Sequence, residues 1–314
     1  MRALIVSNMF PTPERPALGS FVRDQVRALQ RIAGIELELF TFTGGSPVAY
    51  LEAARSIRRR YRGERIDIVH AHFGLTAWPA RAAPARGRAL TLHGTDLAHP
   101  RSRLLTGLAL RSIDLVATVS EPLAREIPRW AIRRPAAVLP CGVDTHRFQP
   151  IPRAQARSEL GLDPRGPYLL FPADPARPEK RYDLARAAAG ETPLLTLGAV
   201  APEEVPLWVN AANAVLIPSD REGFGLAVLE ALACDVPVLA TPVGIAPDAL
   251  ANLPGTLCRR FEREAWRAAL EPHLAAADPR VAGRSRAEPF SSDRMAARVV
   301  EAWERLLSPV PATT

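Results

Sequence analysis

The sequence predicts an α/β protein made of two doubly wound parallel sheets wrapped by helices. Three observations carry this. Short apolar segments alternate with amphipathic ones along most of the 314 residues, the rhythm of parallel strands joined by helices. The rhythm breaks at Phe148-Gln149-Pro150-Ile151-Pro152, where proline disfavours regular structure, and then restarts. Residues 215–242, VLIPSDREGFGLAVLEALACDVPVLATP, spell strand, loop, helix and strand without interruption. The expected halves are 1–150 and 151–314.

In the first half, Ala3-Leu4-Ile5-Val6 is an apolar run of buried-strand length. Ser20 to Ile32 reads as a helix because Phe21, Val22, Val26 and Leu29 share one face. Glu36 to Thr41 is the next strand, and Ala49 to Arg60 the next helix. Asp67 to His70, Ala89 to Leu92, Asp114 to Val119 and Ala136 to Leu139 supply four more strands. After the proline break, strands are expected at Tyr168 to Phe171, Pro193 to Leu197, Ala214 to Ile217 and Val236 to Ala240. Ser292 to Leu307 is an amphipathic helix, and the tail at 309–314 is expected to be loose. Each half is therefore Rossmann-like.

Bulk properties narrow the function classes. Hydrophobic residues make up 47%, enough for a substantial core, and 40 Lys and Arg stand against 33 Asp and Glu for a net charge of +7. Such an excess suits phosphate-bearing ligands or an anionic surface. No aromatic-interleaved basic stretch supports a nucleic-acid partner. Cys141, Cys234 and Cys258 are far apart and form no C-x-x-C pair, so zinc-ribbon and redox readings fail and a reducing cytoplasm is expected. No run of about 20 apolar residues occurs to span a membrane. His70 and His72 share a strand face, but no third ligand has suitable spacing, and no metal is expected. The run Arg55, Arg58, Arg59, Arg60, Arg62 and Arg65 flanks the second helix. It reads equally as a solvated face or as a contact for an anionic membrane surface.

The residues between 215 and 242 carry the most chemistry. Glu222-Gly223-Phe224-Gly225 lies at the mouth of the loop after one strand, and Glu230 on the helix that follows. In open α/β sheets, ligands bind outside the carboxyl ends of the strands. Gly223 and Gly225 let backbone come close to a ligand, and the N–H groups at the helix start suit a phosphate. Two carboxylates accept hydrogen bonds from hydroxyls. A sugar or ribose beside a phosphate uses all of these groups. A second cluster, Asp174-Pro175-Ala176-Arg177-Pro178-Glu179-Lys180-Arg181, also lies between a strand and a helix. Its cations could stabilise the charge that builds on a departing diphosphate.

This pattern resembles the Glu-x7-Glu signature of the family 4 glycosyltransferases, retaining enzymes of the GT-B fold. Glu222, Gly223, Phe224, Gly225, Glu230, Ala231, Ala233, Pro237 and Val238 carry the resemblance. Lys180 resembles the family's diphosphate lysine. The Gly-Arg that usually stands five and six residues before it is replaced by Pro175 and Asp174, which leaves Arg177 as a substitute. Pro16-Ala17-Leu18-Gly19-Ser20 resembles the N-terminal glycine loop, and Leu92-His93-Gly94-Thr95-Asp96 the His-Gly-x-Asp element. Pro140-Cys141-Gly142-Val143-Asp144 resembles the hinge segment, with Cys141 in place of the usual Asn.

The resemblance implies two domains facing a cleft. The first holds the acceptor, the second holds a UDP- or GDP-sugar, and the last helix (about 292–307) packs back on the first. Glu222, His93 and Lys180 are the implied catalytic groups. Gly19, Arg177, Lys180, Gly223, Phe224, Gly225 and Glu230 are the implied donor contacts. No Asp-x-Asp motif appears, so no metal or other cofactor is required. The implied reaction is sugar transfer to a glycan or lipid-linked acceptor, in the cytoplasm or at the inner face of its membrane. A non-catalytic sugar-nucleotide-binding relative and a GT-B epimerase are the alternatives.

Overall fold

A computed structural model describes residues 1–198 and 200–308. The chain divides into two compact units, Met1–Gly142 joined by the stretch from Ser292, and Val143–Ser291. The tail at 309–314, expected to be loose, lies outside the described residues. The passage between units falls at Gly142–Val143, ahead of the proline-rich segment where the sequence suggested it. The reason is local. The Val143 N–H donates to the Phe290 carbonyl at 2.9 Å, Phe148 is buried, and the Ile151 N–H donates to Asn210 Oδ1 at 2.9 Å. The prolines are thus built into the second unit.

The first unit contains β1 (Arg2–Ser7), α1 (Ser20–Gln30), β2 (Glu36–Thr41), α2 (Pro47–Arg60) and β3 (Ile66–His72). It continues with α3 (Ala77–Ala80), β4 (Ala85–Leu92), α4 (Pro100–Leu110), β5 (Leu115–Thr118), α5 (Glu121–Glu126) and β6 (Ala137–Val138). All six strands are parallel, in the order β2-β1-β3-β4-β5-β6. Right-handed crossovers then fix which face each helix covers. The connection through α1 steps one way along the sheet, and those through α2, α3 and α4 step the other. So α2, α3 and α4 form one outer layer, and α1 lies on the opposite face. The C-terminal helix, Ser292–Leu307, packs beside α1 and against β4. Its Met295, Val299 and Trp303 recur every fourth residue and meet Val22, Val26 and Leu29 of α1 over Ala3, Ile5 and Ile68 of the sheet. The one stripe that makes each helix amphipathic is the stripe that is buried.

The second unit contains α6 (Arg153–Glu159), β7 (Leu169–Phe171), α7 (Tyr182–Ala189), β8 (Leu194–Thr196), α8 (Val205–Ala211) and β9 (Ala214–Ile217). It ends with α9 (Leu226–Ala233), β10 (Val238–Ala240), α10 (Ala246–Ala249), β11 (Leu257–Cys258), α11 (Arg263–Ala275) and α12 (Arg284–Ala287). The sheet order is β11-β10-β9-β7-β8, again all parallel. Leu169, Phe171, Leu216 and Leu239 of the strands pack with Trp266 and Leu270 of α11. Two buried guanidiniums tie the loops around this core. Arg153 donates to the Ala212 and Pro279 carbonyls at 2.9 and 3.0 Å, and Arg157 to the Ala211 carbonyl at 2.9 Å. Burial pushes Arg153 down to about 9.

Helix α4 was not anticipated. Its sequence, PRSRLLTGLAL, has no single apolar stripe. Thr106, Gly107, Ala109 and Leu110 are buried, while Leu104, Leu105 and Leu108 face outward.

Candidate functional site

In the second unit the strand order reverses between β7 and β9: the chain steps from β7 to β8 on one side and returns to β9 on the other. A pocket opens at their carboxyl ends, lined by Phe171, Ala173, Lys180, Ile217, Ser219 and Glu222 among others. This is the crevice where doubly wound sheets hold ligands.

Lys180 ends a single 3₁₀ turn, Pro178–Lys180. Its Nζ donates to both oxygens of Glu222, at 2.7 and 2.6 Å. The Ser219 hydroxyl donates to Glu222 Oε1 at 2.7 Å, and the Ser219 carbonyl in turn accepts from the Thr241 hydroxyl at 2.5 Å. The side chains of Lys180 and Glu222 are 15% and 11% exposed, so the pair is largely withdrawn from water and its attraction is weakly screened. Two further links hold the same loops in register. The Asp220 N–H donates to the Glu179 carbonyl at 2.9 Å. Arg181, in the left-handed region at φ 57°, donates to Asp220 at 3.1 Å.

The Gly223-Phe224-Gly225 segment leads into α9. Gly225 opens the helix at φ 89°, a conformation that a side chain disfavours. Phe224 is buried, and its ring lies 6.0 Å from that of Phe290. Its carbonyl accepts from the Ile245 N–H at 2.7 Å. Glu230 sits half-buried just over one turn into α9. Arg177 does not line this pocket. It is exposed, and its guanidinium donates to Glu179 Oε1 at 2.9 and 2.6 Å.

The first unit brings its own candidates to the carboxyl ends of β1, β3 and β4. Gly19 is left-handed at φ 66°, and a Cβ there would fall 2.3 Å from the Met9 carbonyl oxygen. The glycine is thus demanded by the close approach of its own loop. Two residues on, the Phe21 ring packs on His93 at 4.8 Å between centroids. His93 is half-buried and also meets Phe73 at 4.8 Å. Its Nε2 lies 3.0 Å from Nδ1 of His72, so one ring donates and the other accepts. His72 stacks on His70 at 4.9 Å. The Trp303 indole N–H donates to His70 Nδ1 at 3.0 Å. That leaves the His70 proton on Nε2, which donates to the Thr91 hydroxyl at 2.8 Å.

Burial holds the three imidazoles neutral. It pushes His72 down to about 3, and His70 and His93 well below 6.5, with neighbouring imidazoles adding to the shift. The ring nitrogens answer one another, Trp303 and Thr91 rather than converging on a point. Among the described residues no three His, Cys, Asp or Glu side chains form a group that could hold a metal ion.

Asp96 fixes the His93 loop. One oxygen accepts from the Gly74 N–H at 2.6 Å, the other from the His93 and Gly94 N–H groups at 2.6 and 3.2 Å. Burial raises its pKa despite these donors. Phe73, beside it, is left-handed at φ 72°, a strained setting for a bulky residue and one concentrated at functional sites. Burial pushes the Cys141 thiol up to about 12, so it is no thiolate nucleophile at neutral pH.

Sequence reasoning missed several of these residues. Ser219, Thr241 and Asp220 are ordinary loop residues until the fold sets them around Glu222. Gly244 had a signal, since it follows a strand end. At φ 60°, a Cβ there would lie 2.4 Å from the Phe224 carbonyl oxygen and 2.9 Å from Glu222 Cβ, so it backs the glutamate loop.

Two doubly wound units, each with its polar loops at the carboxyl edge of its sheet, are the architecture of GT-B proteins. Residues 18–147 match the family described as Glycosyltransferase Family 4, and residues 169–282 match Glycosyl transferases group 1. Together the matches cover most of the chain, which belongs to this glycosyltransferase family. A D-inositol 3-phosphate glycosyltransferase of Segniliparus rotundus is 30% identical over 227 residues, 60% of this chain and 50% of that protein. The chain thus spans half the length of this relative. Among solved structures, sucrose-phosphate synthase from Thermosynechococcus elongatus aligns with a TM-score of 0.75 at 18% identity, over 98% of this chain and 99% of that one. Anabaena HepE, solved with UDP and glucose, aligns with a TM-score of 0.73 at 16% identity, over 97% and 100%. The fold is GT-B.

Proposed function

We propose that the chain is a retaining glycosyltransferase that moves a sugar from a UDP- or GDP-sugar to a glycan or lipid-linked acceptor. The observation that carries this reading is the Lys180–Glu222–Ser219 constellation in the pocket at the carboxyl ends of β7 and β9. It offers a cation and a carboxylate side by side, as a diphosphate and a sugar's hydroxyls require. The presence of UDP and glucose in the HepE structure supports a nucleotide-sugar ligand.

In this reaction Lys180 neutralises the charge that grows on the leaving diphosphate, and Arg177 joins it only by leaving Glu179 and turning toward the donor. Glu222 accepts hydrogen bonds from donor-sugar hydroxyls and balances positive charge at the anomeric carbon. Glu230 binds the ribose hydroxyls, and the Gly223–Gly225 backbone lies along the donor. Gly19 lends backbone N–H groups to the phosphate, and His93, held neutral, orients the sugar. The bond between the anomeric carbon and the phosphate oxygen breaks. A new bond to the acceptor oxygen forms on the same face, and the acceptor's proton passes to the departing phosphate oxygen. No protein nucleophile is needed.

A thermal-shift screen of nucleoside diphosphates and sugar nucleotides tests binding, because a ligand of the folded state raises the melting point by mass action. The best donor is then followed for diphosphate release and transfer. Lys180→Met and Glu222→Gln should each lower turnover by about 10²–10³. If no nucleotide shifts the melting point, the reading fails. Donor binding without diphosphate release would point to a non-catalytic relative, and an epimer as product to an epimerase.

A further inference from the structure

Every exposed large hydrophobic side chain among the described residues lies between positions 48 and 130, in the first unit. They are not scattered there. Val48 and Leu51 belong to α2, Trp78 to α3, and Leu104, Leu105 and Leu108 to α4. Trp130 follows on the 3₁₀ turn Arg129–Ala131. The connections through α2, α3 and α4 run the same way along the sheet, so these helices share one outer layer. α3 packs against both of its neighbours, and the 3₁₀ turn packs against α4.

α4 is the centre of the patch. Leu104, Leu105 and Leu108 are 55%, 47% and 45% exposed and fall within about a third of the helix circumference. A tryptophan stands on each side. The Trp78 indole donates to the Leu105 carbonyl at 3.3 Å, and the Trp130 ring covers Gly107, where a Cβ would meet it at 2.6 Å. Both rings are partly exposed, at 39% and 47%. Tryptophan suits a boundary that is apolar on one side and wet on the other.

The charge of the layer is one-sided. On α2, Arg55, Arg58 and Arg59 are exposed and follow Val48 and Leu51 on the same face. The exposed Arg101 of α4 and the exposed Arg111 just past its end bracket the leucines. Glu52 is the acidic residue within α2, and α3 and α4 have none.

We infer that the α2–α3–α4 layer is a docking surface for an anionic lipid bilayer, with the α4 leucines and the two tryptophans entering the interface and the arginines meeting lipid phosphates. Shallow apolar insertion flanked by basic residues is how peripheral helices hold an anionic membrane. A second copy of the chain is a poor occupant, because a two-fold contact through this face would set arginines against arginines. No helix among the described residues is long and apolar enough to cross a membrane. The inference stands apart from the transferase reading, since lipid binding is read without donor or acceptor.

The test is sedimentation of the full chain with vesicles of phosphatidylcholine, alone or mixed with phosphatidylglycerol, at low and high salt. The wild type should sediment with the mixed vesicles, less so at high salt, and poorly with phosphatidylcholine alone. Arg101→Ser with Arg111→Ser should weaken partition by roughly 25-fold, about fivefold per arginine. Leu104→Ser with Leu108→Ser should weaken it by about tenfold. All four side chains are exposed, so melting points should match the wild type. Failure to sediment with mixed vesicles, or unchanged binding of the leucine variant, overturns the inference. So does a dimer, seen by analytical ultracentrifugation, that the leucine variant dissolves.

Discussion

Lowering the pH from 7.5 to 5.0 should destabilise the first unit through its stacked imidazoles. His70 and His72 are buried and neutral, with folded pKa values below the ordinary 6.5; His72 stands at about 3. A histidine whose folded pKa is depressed gives stability that is complete above 6.5. It is lost as pH falls from 6.5 toward the folded value, because the unfolded chain binds the proton first. At pH 5 each imidazole that stays neutral in the fold costs about 2 kcal/mol, from 1.36 kcal/mol per unit over the interval below 6.5. His70 adds to the cost set by His72, and together they take a sizeable part of the roughly 5–15 kcal/mol available to a domain. His93 adds in the same direction, with a smaller share because it is less completely buried than His70 and His72. Asp96, whose pKa is raised, works with the opposite sign. Urea denaturation at a series of pH values, for the wild type and for His72→Gln, isolates one ring. The variant should lose about 2 kcal/mol less than the wild type between pH 7.5 and 5.0. Equal losses in the two proteins, or a His72 NMR titration near 6.5 in the folded protein, would refute the reasoning.

Gly225→Ala should cost about 1–2 kcal/mol in chemical denaturation, the penalty for its positive φ alone, since its Cβ would meet nothing closer than 3.6 Å. Gly244→Ala should cost distinctly more and displace Glu222, because the added carbon would strike the Phe224 carbonyl at 2.4 Å; the reverse order would overturn the contact argument. Trp303→Phe should destabilise by roughly 2–4 kcal/mol, since it removes buried volume and leaves His70 Nδ1 without its donor. Trp266→Phe should cost less, because the Trp266 indole N–H is buried without an acceptor in the structure; equal melting-point shifts would count against this. Lys180→Met combined with Glu222→Gln should melt above either single variant, because each single change strands one partner of a largely buried pair.

The strands within 3–6, 168–171, 214–217 and 236–240 were readable because they are buried on both faces, so these short apolar runs have no other use. The C-terminal helix was readable for a related reason: its buried residues form one stripe at helical spacing. α4 was invisible because its leucines point outward, so its pattern contradicts its position. The domain boundary was misplaced because proline signals irregular backbone, and irregular backbone can still be built into a unit, as the buried Phe148 and the Ile151–Asn210 bond show. In the site, Glu222 and Lys180 could be picked out by type and by place between strand and helix. That they meet directly could not be read, because they are 42 residues apart in sequence and joined only by the strand order β8-β7-β9. Nor could the imidazole chain be read. His70 and His72 look like a lone pair until β4 pairs with β3 and brings His93 beside them.

The two units solve the same placement problem with opposite electrostatics. Both put their polar loops at the carboxyl edge, near the point where the strand order reverses, where a crevice forms without disturbing the core. In the second unit the crevice keeps full charges, and it can do so because each is matched: Lys180 by Glu222, Glu222 also by Ser219, and Arg181 by Asp220. In the first unit the charge at the edge is removed by burial, and what remains is a neutral imidazole on a loop that Asp96 fixes. In the proposed reaction this division has a chemical use. A departing diphosphate needs a cation that is already in place, since moving one there during the reaction would cost reorganisation. A neutral imidazole can meet a sugar hydroxyl without adding positive charge, whereas a protonated one would oppose the positive charge growing at the anomeric carbon. Burial of His93 among Phe21, Phe73 and His72 is therefore as much a part of the proposed chemistry as the ion pair is, since it sets the protonation state that the step requires.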